Sequence, residues 1–468
     1  EMINHGMGDT AAVSVLSLNA GLDMDMVSEG FLNTLQKSLQ TGKVSMASID
    51  AACKRILEAK YDLGLFEDPF KYCKQERASE VLSADKRAFA KEAAMRSFVL
   101  LKNDNQVLPL KSNQKIALIG PLANDRSNMP GTWSINADAK QAISVLEGLN
   151  NRPGIGSKIL YAKGANISDD PVFAAKINVF GEKISIDTRS SQELLAEALT
   201  VAAASDIIVA VVGEASEMSG EAASRTSLDI PTSQQKLIEA LSKTGKPLVL
   251  VLMNGRPLTI ANELKSATAV LDVWHAGTEA GNAVAAVLYG DYNPAGKLTM
   301  SFPRNVGQIP IYYSVRNTGR PNGGDVFGKY RSNYLDVENS PLLPFGYGLS
   351  YTTFSYGKPV LSAPTLTATK AITASVTLTN SGNYDGEEVV QLYIKDDVAS
   401  ITRPLKELKG FQKVFLKKGE TKTVTFTIDE NLLRFYNADL KHVSEKGNFQ
   451  LYIGSNAAVE NGVSFQLK

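Results

Sequence analysis

The sequence lacks the features that mark several classes of protein. It has no excess of charge of either sign, because 49 Lys and Arg residues balance 49 Asp and Glu residues. We therefore expect no surface for nucleic acid or for an anionic membrane. No apolar run reaches the roughly 18 residues of a membrane-spanning helix, so no membrane span is expected. Only two cysteines and three histidines are present, none at ligand spacing, so we expect no zinc site.

The sequence also lacks an initial methionine and a visible signal peptide, since it begins at Glu1. We therefore expect the natural start of the protein to lie upstream. The 468 residues are enough for about three domains. An apolar content of 44% and a charged content of 21% are typical of globular chains that form a core.

Residues 1–65 predict a helix, a strand that ends GLDMDM at Met26, and further helices. The helices are expected at Phe31–Leu39 and Ser48–Tyr61, with Ser48 as the N-cap of the second. A single strand cannot form a parallel sheet, so this segment is predicted to be the last β/α unit of a larger domain. Asp23 and Asp25, at the strand end, suit either sugar binding or helix capping, and the structural role is favoured.

Cys53 lies on the apolar face of the second of these helices, and we expect it to be buried as a small hydrophobe. A disulfide between Cys53 and Cys73 is the alternative.

The rest of the chain divides by pattern. Residues 66–86 are a polar linker, residues 87–315 alternate strands with helices, and residues 316–365 are an extended linker. The alternation predicts an α/β layered domain with a mostly parallel sheet. Short strands of period two in residues 366–468 predict a β-sandwich. The strands are predicted at Ile116–Gly120, Ile159–Ala162, Ile207–Gly213, Pro247–Met253, Ala269–Trp274, Thr373–Asn380, Glu388–Ile394, Gly410–Phe415, Thr421–Ile428 and Asn448–Ile453, and the helices at Gln192–Ala204, Ser233–Leu241 and Glu279–Leu288.

The loop after the strand Ile207–Gly213 is the most informative segment for function. It runs to about Pro231, whereas strand-to-helix loops usually have about two to six residues. It leaves the carboxyl end of a strand, where open α/β sheets bind ligands. It carries Glu214, Glu217, Glu221 and Arg225. Taken from spacing alone, each glutamate is more simply a solvated charge, because a glutamate serves as a general acid only with a second carboxylate nearby, and spacing identifies none.

Other candidates are weaker. Trp133 could stack on a sugar ring, although core packing is favoured. His275 follows a predicted strand, and packing in the core or in a turn is favoured over catalysis. The segment GGDVFGK at Gly323–Lys329 lacks a following helix, so a phosphate-binding loop is not expected.

Long ordered segments resemble glycoside hydrolase family 3, most closely its bacterial periplasmic β-glucosidases. The resemblance extends over nearly the whole chain, and the segments Trp274–Tyr313 and Leu343–Phe354 are the most specific. Further matching segments are KYDLGLFEDPF at Lys60–Phe70, SFVLLKNDNQVLPL at Ser97–Leu110, KIALIGPLAN at Lys115–Asn124, VVGEASEMSGEAASRTSLDIP at Val211–Pro231, VLMNGRPL at Val251–Leu258 and RPLKELKGF at Arg403–Phe411.

The resemblance implies a (β/α)₈-like barrel, an α/β sandwich and a fibronectin type III-like domain. In this family the nucleophile is an aspartate at the end of the seventh barrel strand, which places it upstream of Glu1; Asp9, Asp23 and Asp25 do not match its motif. The family's acid/base lies in the loop described above, where a glutamate precedes an arginine by four residues. Glu221 and Arg225 match this spacing, followed by Leu228, Ile230 and Pro231. Glu221 is therefore the predicted catalytic acid/base, with Glu214 as the second choice, and Arg225 is predicted to orient it, bind substrate or hold the loop.

The implied reaction is retaining hydrolysis of terminal β-D-glucosyl residues, with no cofactor and no metal. The alternatives are a β-xylosidase, arabinofuranosidase or exo-glucanase of the same family, or a non-catalytic fragment. We expect the 468-residue chain alone to be inactive, because the barrel that holds the nucleophile would be its missing partner. The resemblance also implies a periplasmic or secreted location, and leaves a homodimer open.

Overall fold

The structure, a computed structural model, describes residues 2–134, 136–153, 158–320 and 326–468. The first glycines of the GGDVFGK segment lie outside the described residues. The chain forms two compact units, Glu1–Ala84 and Asp85–Lys468. None of the helices in the described ranges is long and apolar enough to cross a membrane.

The first unit consists of helices around a small apolar cluster. Leu18, Val44 and Ala52 are its buried members. The Asp9 and Ser45 side chains accept hydrogen bonds from backbone N–H groups of the first turns and so cap α1 and α3, which makes Ser45 rather than Ser48 the N-cap. The helices are α1 (Thr10–Asn19), α2 (Gly30–Gln40) and α3 (Met46–Asp62).

The predicted strand that ends at Met26 is wrong. Residues 22–26 have no strand pairing, and Met26 is 81% exposed. A strand forms only where another strand satisfies its backbone groups, and the described residues of the first unit contain none. A barrel remnant is therefore not confirmed here.

The carboxylates near this segment have structural contacts. Asp23 pairs with Arg55, whose Nε lies 2.8 Å from Oδ1, and this contact lowers the pKa of Asp23. Asp25 accepts hydrogen bonds from the Ser28 hydroxyl at 2.7 Å and from Gly30 N at 2.6 Å, at the start of α2. These bonds, led by that of Ser28, lower the pKa of Asp25. The structural role favoured for both residues agrees with these contacts.

Cys53 was expected to be buried, and this is wrong, since both cysteines are free and exposed. The buried face of α3 is instead the one that carries Ile49 and Ala52, which pack against the apolar cluster of the first unit.

The second unit begins with an α/β layer whose six-stranded sheet is buried on both faces. Consecutive residues of one strand, such as Val209 and Ala210, belong to different apolar clusters, one on each face. Two-sided burial explains why these strands are continuous apolar runs. The strand order is β1-β6-β5-β4-β2-β3, parallel except at β1, which pairs antiparallel with β6. The strands are β1 (Val99–Asn103), β2 (Ile116–Ile119), β3 (Ile159–Ala162), β4 (Ile207–Gly213), β5 (Leu248–Met253) and β6 (Ala269–Asp272).

The mostly parallel sheet and its five predicted strands are confirmed, with ends that differ by at most two residues. The antiparallel edge strand β1 was missed, because its run VLLKN is short and does not alternate. Four helices were missed as well; α4, for example, has the sequence ADKRAFAKEAAMRS, which carries no regular apolar stripe. The helices are α4 (Ala84–Ser97), α5 (Val145–Asn150), α6 (Pro171–Ile177), α7 (Ser191–Ala203), α8 (Thr232–Ser242), α9 (Ala261–Ser266) and α10 (Ala280–Leu288).

A β-sandwich follows, and its period-two strands place alternate side chains in one core. Along the first long strand, Ile372, Ala374, Val376 and Leu378 are buried, and the residues between them are more exposed. The two main sheets have the orders β13-β10-β7, with β8 also on β10, and β12-β11-β16-β17-β9. The strands are β7 (Phe354–Tyr356), β8 (Val360–Leu361), β9 (Thr365–Leu366), β10 (Ile372–Asn380), β11 (Gly386–Asp396), β12 (Glu407–Leu416), β13 (Thr421–Ile428), β14 (Phe435–Tyr436), β15 (His442–Val443), β16 (Gly447–Gly454) and β17 (Gly462–Leu467).

The five predicted sandwich strands are all present. The sandwich also includes β7, β8 and β9, which are too short to show a period. β7 and β8 lie within the predicted linker 316–365, and β9 begins at its last residue, Thr365. Lys297 of the α/β layer pairs at 2.9 Å with Glu388 of β11, and both side chains are almost fully buried. This ion pair and the hydrogen bond from Gln391 Nε2 to Gly346 O at 3.0 Å connect the β-sandwich to the part of the second unit that precedes it.

Candidate active-site loop at the carboxyl edge of the sheet

The order of the parallel strands places two long loops side by side. The chain passes from β2 outward to β3 and then returns past β2 to β4, so β2 and β4 are neighbours from which the connections run in opposite directions. Ligands of open α/β sheets bind at the carboxyl ends of such strands. The loop after β4, residues 214–231, is named here the acid/base loop, and the loop after β2 carries Thr132 and Trp133.

Glu214 is the first residue of the acid/base loop and anchors the loop to the edge of the sheet. Its side chain is fully buried, and its Oε1 lies 2.7 Å from Nη1 of Arg225. Nε of Arg256 lies 3.6 Å from the same oxygen, and the backbone N–H of Gly255 donates to Oε2 at 3.2 Å. A buried carboxylate needs such partners, because its desolvation is otherwise uncompensated. Glu214 is therefore committed to contacts within the protein.

Arg225 closes the far arm of the loop. While Nη1 contacts Glu214, Nη2 donates to the carbonyl of Asp229 at 3.0 Å. Thr259, after β5, donates its hydroxyl to the Asp229 carboxylate and its N–H to Leu228 O at 3.0 Å. In this structure the contacts of Arg225 hold the loop, and a contact with substrate stays a prediction.

Glu217 and Gly220 contact the neighbouring loop. Oε2 of Glu217 accepts a hydrogen bond from the Thr132 hydroxyl at 3.1 Å. Gly220 has a φ of +100°, and a Cβ there would lie 2.5 Å from Cγ2 of Thr132. Only glycine fits this position, so the two loops pack directly on each other.

Glu221 lies at the exposed tip of the loop. It is followed by Ala222 with a φ of +55°, a left-handed conformation that turns the chain sharply. In contrast to the other two glutamates, Glu221 has no hydrogen bond or ion pair within the described ranges. Its carboxyl group is therefore free to meet a molecule that approaches this edge of the sheet.

Trp133 and His275 differ from each other in exposure. Trp133 is 75% exposed, so the favoured core packing is wrong. It directly follows Thr132, whose hydroxyl contacts Glu217 of the acid/base loop. The ring nitrogens of His275 are buried, and burial lowers the pKa of its imidazole to about 4. His275 is therefore neutral near pH 7, and its Cβ lies against Gly131, as the favoured packing role requires.

Sequence reasoning missed Arg256 and Thr132, which support the acid/base loop from outside it. A signal for Arg256 was present, because the run NGRPL directly follows β5, and the carboxyl end of β5 adjoins that of β4. In the part of the chain that the structure describes, no three His, Cys, Asp or Glu side chains are grouped so that they could hold a metal ion.

Comparison with known proteins agrees with this architecture. The model of the glycosyl hydrolase family 3 C-terminal domain matches residues 98–351, and that of a fibronectin type III-like domain matches residues 388–457. The chain is 48% identical to a periplasmic beta-glucosidase of Salmonella typhimurium, a match that covers 100% of this chain and 62% of that protein. It is 40% identical to a beta-xylosidase of Formosa agariphila, over 96% of this chain and 60% of that protein.

Solved structures show the same fold. The crystal structure of a beta-glucosidase from Listeria innocua in complex with isofagomine matches with a TM-score of 0.89 and 35% identity, over 99% of this chain and 62% of that chain. The chain thus spans about 60% of the length of the relatives it matches. From the family model and these identities together, the chain belongs to glycosyl hydrolase family 3.

Proposed function

We propose that the protein carrying this chain is a retaining β-glucosidase, and that Glu221 is its general acid/base. The observation that carries this proposal is the difference among the three glutamates of the acid/base loop. Glu214 is buried between two arginines and Glu217 is bonded to Thr132, whereas Glu221 is exposed at the tip. An acid/base must reach the glycosidic oxygen, and only the carboxyl group at the tip is free to do so.

The proposed reaction has two steps. A carboxylate nucleophile attacks the anomeric carbon while Glu221 donates its proton to the departing glycosidic oxygen. Glu221 then accepts a proton from the water that releases β-glucose. In retaining enzymes the two carboxyl groups lie about 5–5.5 Å apart.

The nucleophile stays a prediction of the family resemblance. It is an aspartate of a (β/α)₈ barrel, upstream of Glu1, and residues 1–65 are proposed to contribute helices to that barrel. Within residues 2–84, Asp9 and Asp25 accept hydrogen bonds from helix starts, and Asp23 is paired with Arg55, so none of the three is proposed as nucleophile. By the same reasoning, the 468-residue chain alone is expected to be inactive.

Trp133 is proposed to contact the leaving group. A sugar ring presents an apolar face that packs against an aromatic side chain. Trp133 has an exposed indole ring and directly follows Thr132, which contacts the acid/base loop. Arg225 is proposed mainly to hold the loop, with substrate contact as its second role.

A panel of nitrophenyl glycosides on the natural polypeptide that contains residues 1–468 tests the substrate. We expect the β-glucoside to have the highest kcat/KM, in line with the 48% identity to a beta-glucosidase. The second candidate is a β-xylosidase, which the 40% identity to a beta-xylosidase supports. A higher kcat/KM for the β-xyloside would decide for that alternative, and release of glucose from long β-glucans only would decide for an exo-glucanase.

The cellular location is proposed to be the periplasm or the exterior of the cell, because the Salmonella typhimurium relative is a periplasmic protein. Cell fractionation with an activity assay on each fraction tests this. Activity confined to the cytoplasmic fraction would contradict it.

A further inference from the structure

Arg256 joins the two arms of the acid/base loop from outside that loop. Its Nη2 donates hydrogen bonds to the carbonyl of Met218 and, at 2.7 Å, to the carbonyl of Ala223. Met218 precedes Glu221 by three residues and Ala223 follows it by two. A single guanidinium group therefore fixes the width of the tip on both sides of Glu221.

Arg256 is itself held in place at the end of β5. The side-chain amide of Asn254 donates to the Arg256 carbonyl at 2.8 Å, and the N–H of Gly255 donates to Glu214. The Arg256 side chain is only 22% exposed, and its Nε lies 3.6 Å from the buried Glu214 carboxylate. Through Arg256, the tip is therefore held at a fixed position relative to the carboxyl end of β5.

The tip needs such support because its own backbone does not provide it. Gly220 and Ala222 both have positive φ values, and residues 219–224 form no helix or strand. A residue such as Ala222 keeps that conformation only where its surroundings impose it. A proton donor must also be held close to its productive position, since a misplacement of about 1 Å can cost 100-fold in rate.

We propose that Arg256 is a positioning residue, which holds the tip of the acid/base loop so that Glu221 reaches the glycosidic oxygen. The proposal rests on the acid/base role of Glu221 proposed above. Arg256 acts through Glu221 and has no part in proton transfer. Its removal therefore impairs the hydrolysis of substrates that need protonation of the leaving group, and spares those that do not.

The experiment compares two substrates in the natural polypeptide that contains this chain. With a methyl β-glucoside, whose leaving group needs a proton, Arg256→Gln is expected to lower kcat/KM by about 10- to 100-fold. With a dinitrophenyl β-glucoside, which needs little protonation, the loss is expected to stay below about threefold. Arg256→Lys, which keeps the charge and part of the hydrogen bonding, is expected to give an intermediate loss and provides the measurement if Arg256→Gln does not fold.

The matched control is Arg152→Gln. Arg152 is ion-paired with Asp291 beyond the end of α10 and is 28% exposed, so it resembles Arg256 in burial but lies in no contact with the loop. It is expected to change both substrates equally, by less than about twofold. Equal losses on the two substrates for the Arg256 variants would overturn the proposal, since they would show a purely structural role.

The double variant Glu221→Gln with Arg256→Gln separates this inference from the function on which it rests. If Arg256 acts through Glu221, the double variant hydrolyses the methyl glucoside no more slowly than Glu221→Gln alone. An additive loss contradicts the positioning role. If Glu221→Gln itself lacks the dependence on the leaving group, the proposed function fails; if it has that dependence and Arg256→Gln lacks it, only the inference fails.

Discussion

The base of the acid/base loop, Glu214–Met218, and its tip, Gly220–Ala223, contain the same kind of charged side chain in opposite surroundings. At the base, the Glu214 carboxylate is fully buried between two guanidinium groups. At the tip, Glu221 is exposed and follows a glycine with positive φ. The comparison teaches that burial and bonding partners, rather than residue type, decide the role of each glutamate. A buried, paired glutamate holds the loop, whereas an exposed, unpaired one can meet a substrate.

The largest expected effect concerns the tip. Glu221→Ala in the natural polypeptide is expected to lower kcat/KM for a methyl β-glucoside by about 10²–10⁴-fold, because general acid catalysis is lost. The loss for a dinitrophenyl glucoside should be much smaller, and steady-state kinetics on both substrates measure it. The control is Glu239→Gln, an exposed glutamate of α8 that is paired with Lys243. Equal losses on the two substrates would remove Glu221 from its role.

Substitutions at the base of the loop are expected to lower the stability of the folded protein. Glu214→Ala leaves Arg225 and Arg256 without their buried carboxylate, and the expected loss of unfolding free energy is about 3 kcal/mol. Thermal unfolding measures the change. Glu217→Ala, which removes one hydrogen bond to Thr132, should cost only about 1 kcal/mol. Similar losses of unfolding free energy for the two variants would contradict the distinction between a fully buried anchor and a partly buried contact.

The junction between base and tip can be moved without altering a charge. A Cβ on Gly255 would lie 1.8 Å from Oγ and 2.6 Å from Cβ of Ser219, so Gly255→Ala must displace the chain two residues before Glu221. We expect kcat for the methyl β-glucoside to fall by about tenfold, as for a misplaced proton donor.

The control for this displacement is Gly307→Ala. A Cβ there meets only Asn305 Oδ1, at an ordinary 3.5 Å, so activity should not change. Unchanged kinetics in Gly255→Ala would show that the position of Ser219 does not matter to the tip.

Trp133 tests how far the exposed region extends beyond Glu221. Trp133→Ala is expected to raise KM for a disaccharide by about fivefold, since stacking on the leaving sugar contributes on the order of 1 kcal/mol. Trp133→Phe should keep most of that affinity. A methyl glucoside, which has no leaving sugar, is the control substrate, and an equal rise in its KM would contradict the proposed contact.

The smallest effect concerns a carboxylate outside the loop, Asp396 at the end of β11. Unlike Glu214, it has a buried oxygen, Oδ1, without a hydrogen bond in the described residues, and burial raises the pKa of Asp396 to about 6 despite the nearby charge of Arg403. Because the pKa of Asp396 is higher in the folded than in the unfolded protein, its protonated form stabilises the folded state at acid pH. This contribution is lost as the pH rises through about 6.

Asp396→Asn removes the negative charge that Asp396 carries above about pH 6 and whose burial opposes folding. It should therefore raise stability at pH 8, by about 1 kcal/mol or less after allowance for solvent screening, and leave it unchanged at pH 4. Thermal unfolding at the two pH values measures the difference. Asp397→Asn, at a neighbouring residue paired with Lys395, is the control. A gain at pH 4 as large as that at pH 8 would contradict the assignment.

Much of the second unit could be predicted from the sequence, because its elements carry strong local signals. The runs IIVAVVG and LVLVLM are apolar at every position, and such runs between helices predict buried parallel strands. The strand ending at Met26 failed for the opposite reason. Its residues have a suitable pattern, but a strand depends on a partner that the local sequence does not specify.

The sequence by itself determined the family, the order of layers and the identity of Glu221 as a candidate, since each depends on runs of neighbouring residues. Only the tertiary structure decided which glutamate is buried and which is free. That decision depends on Arg256 and Thr132, which lie on other loops and meet the acid/base loop only once the parallel strands align. Burial and pairing are properties of three-dimensional surroundings, so the spacing of residues along the chain does not reveal them.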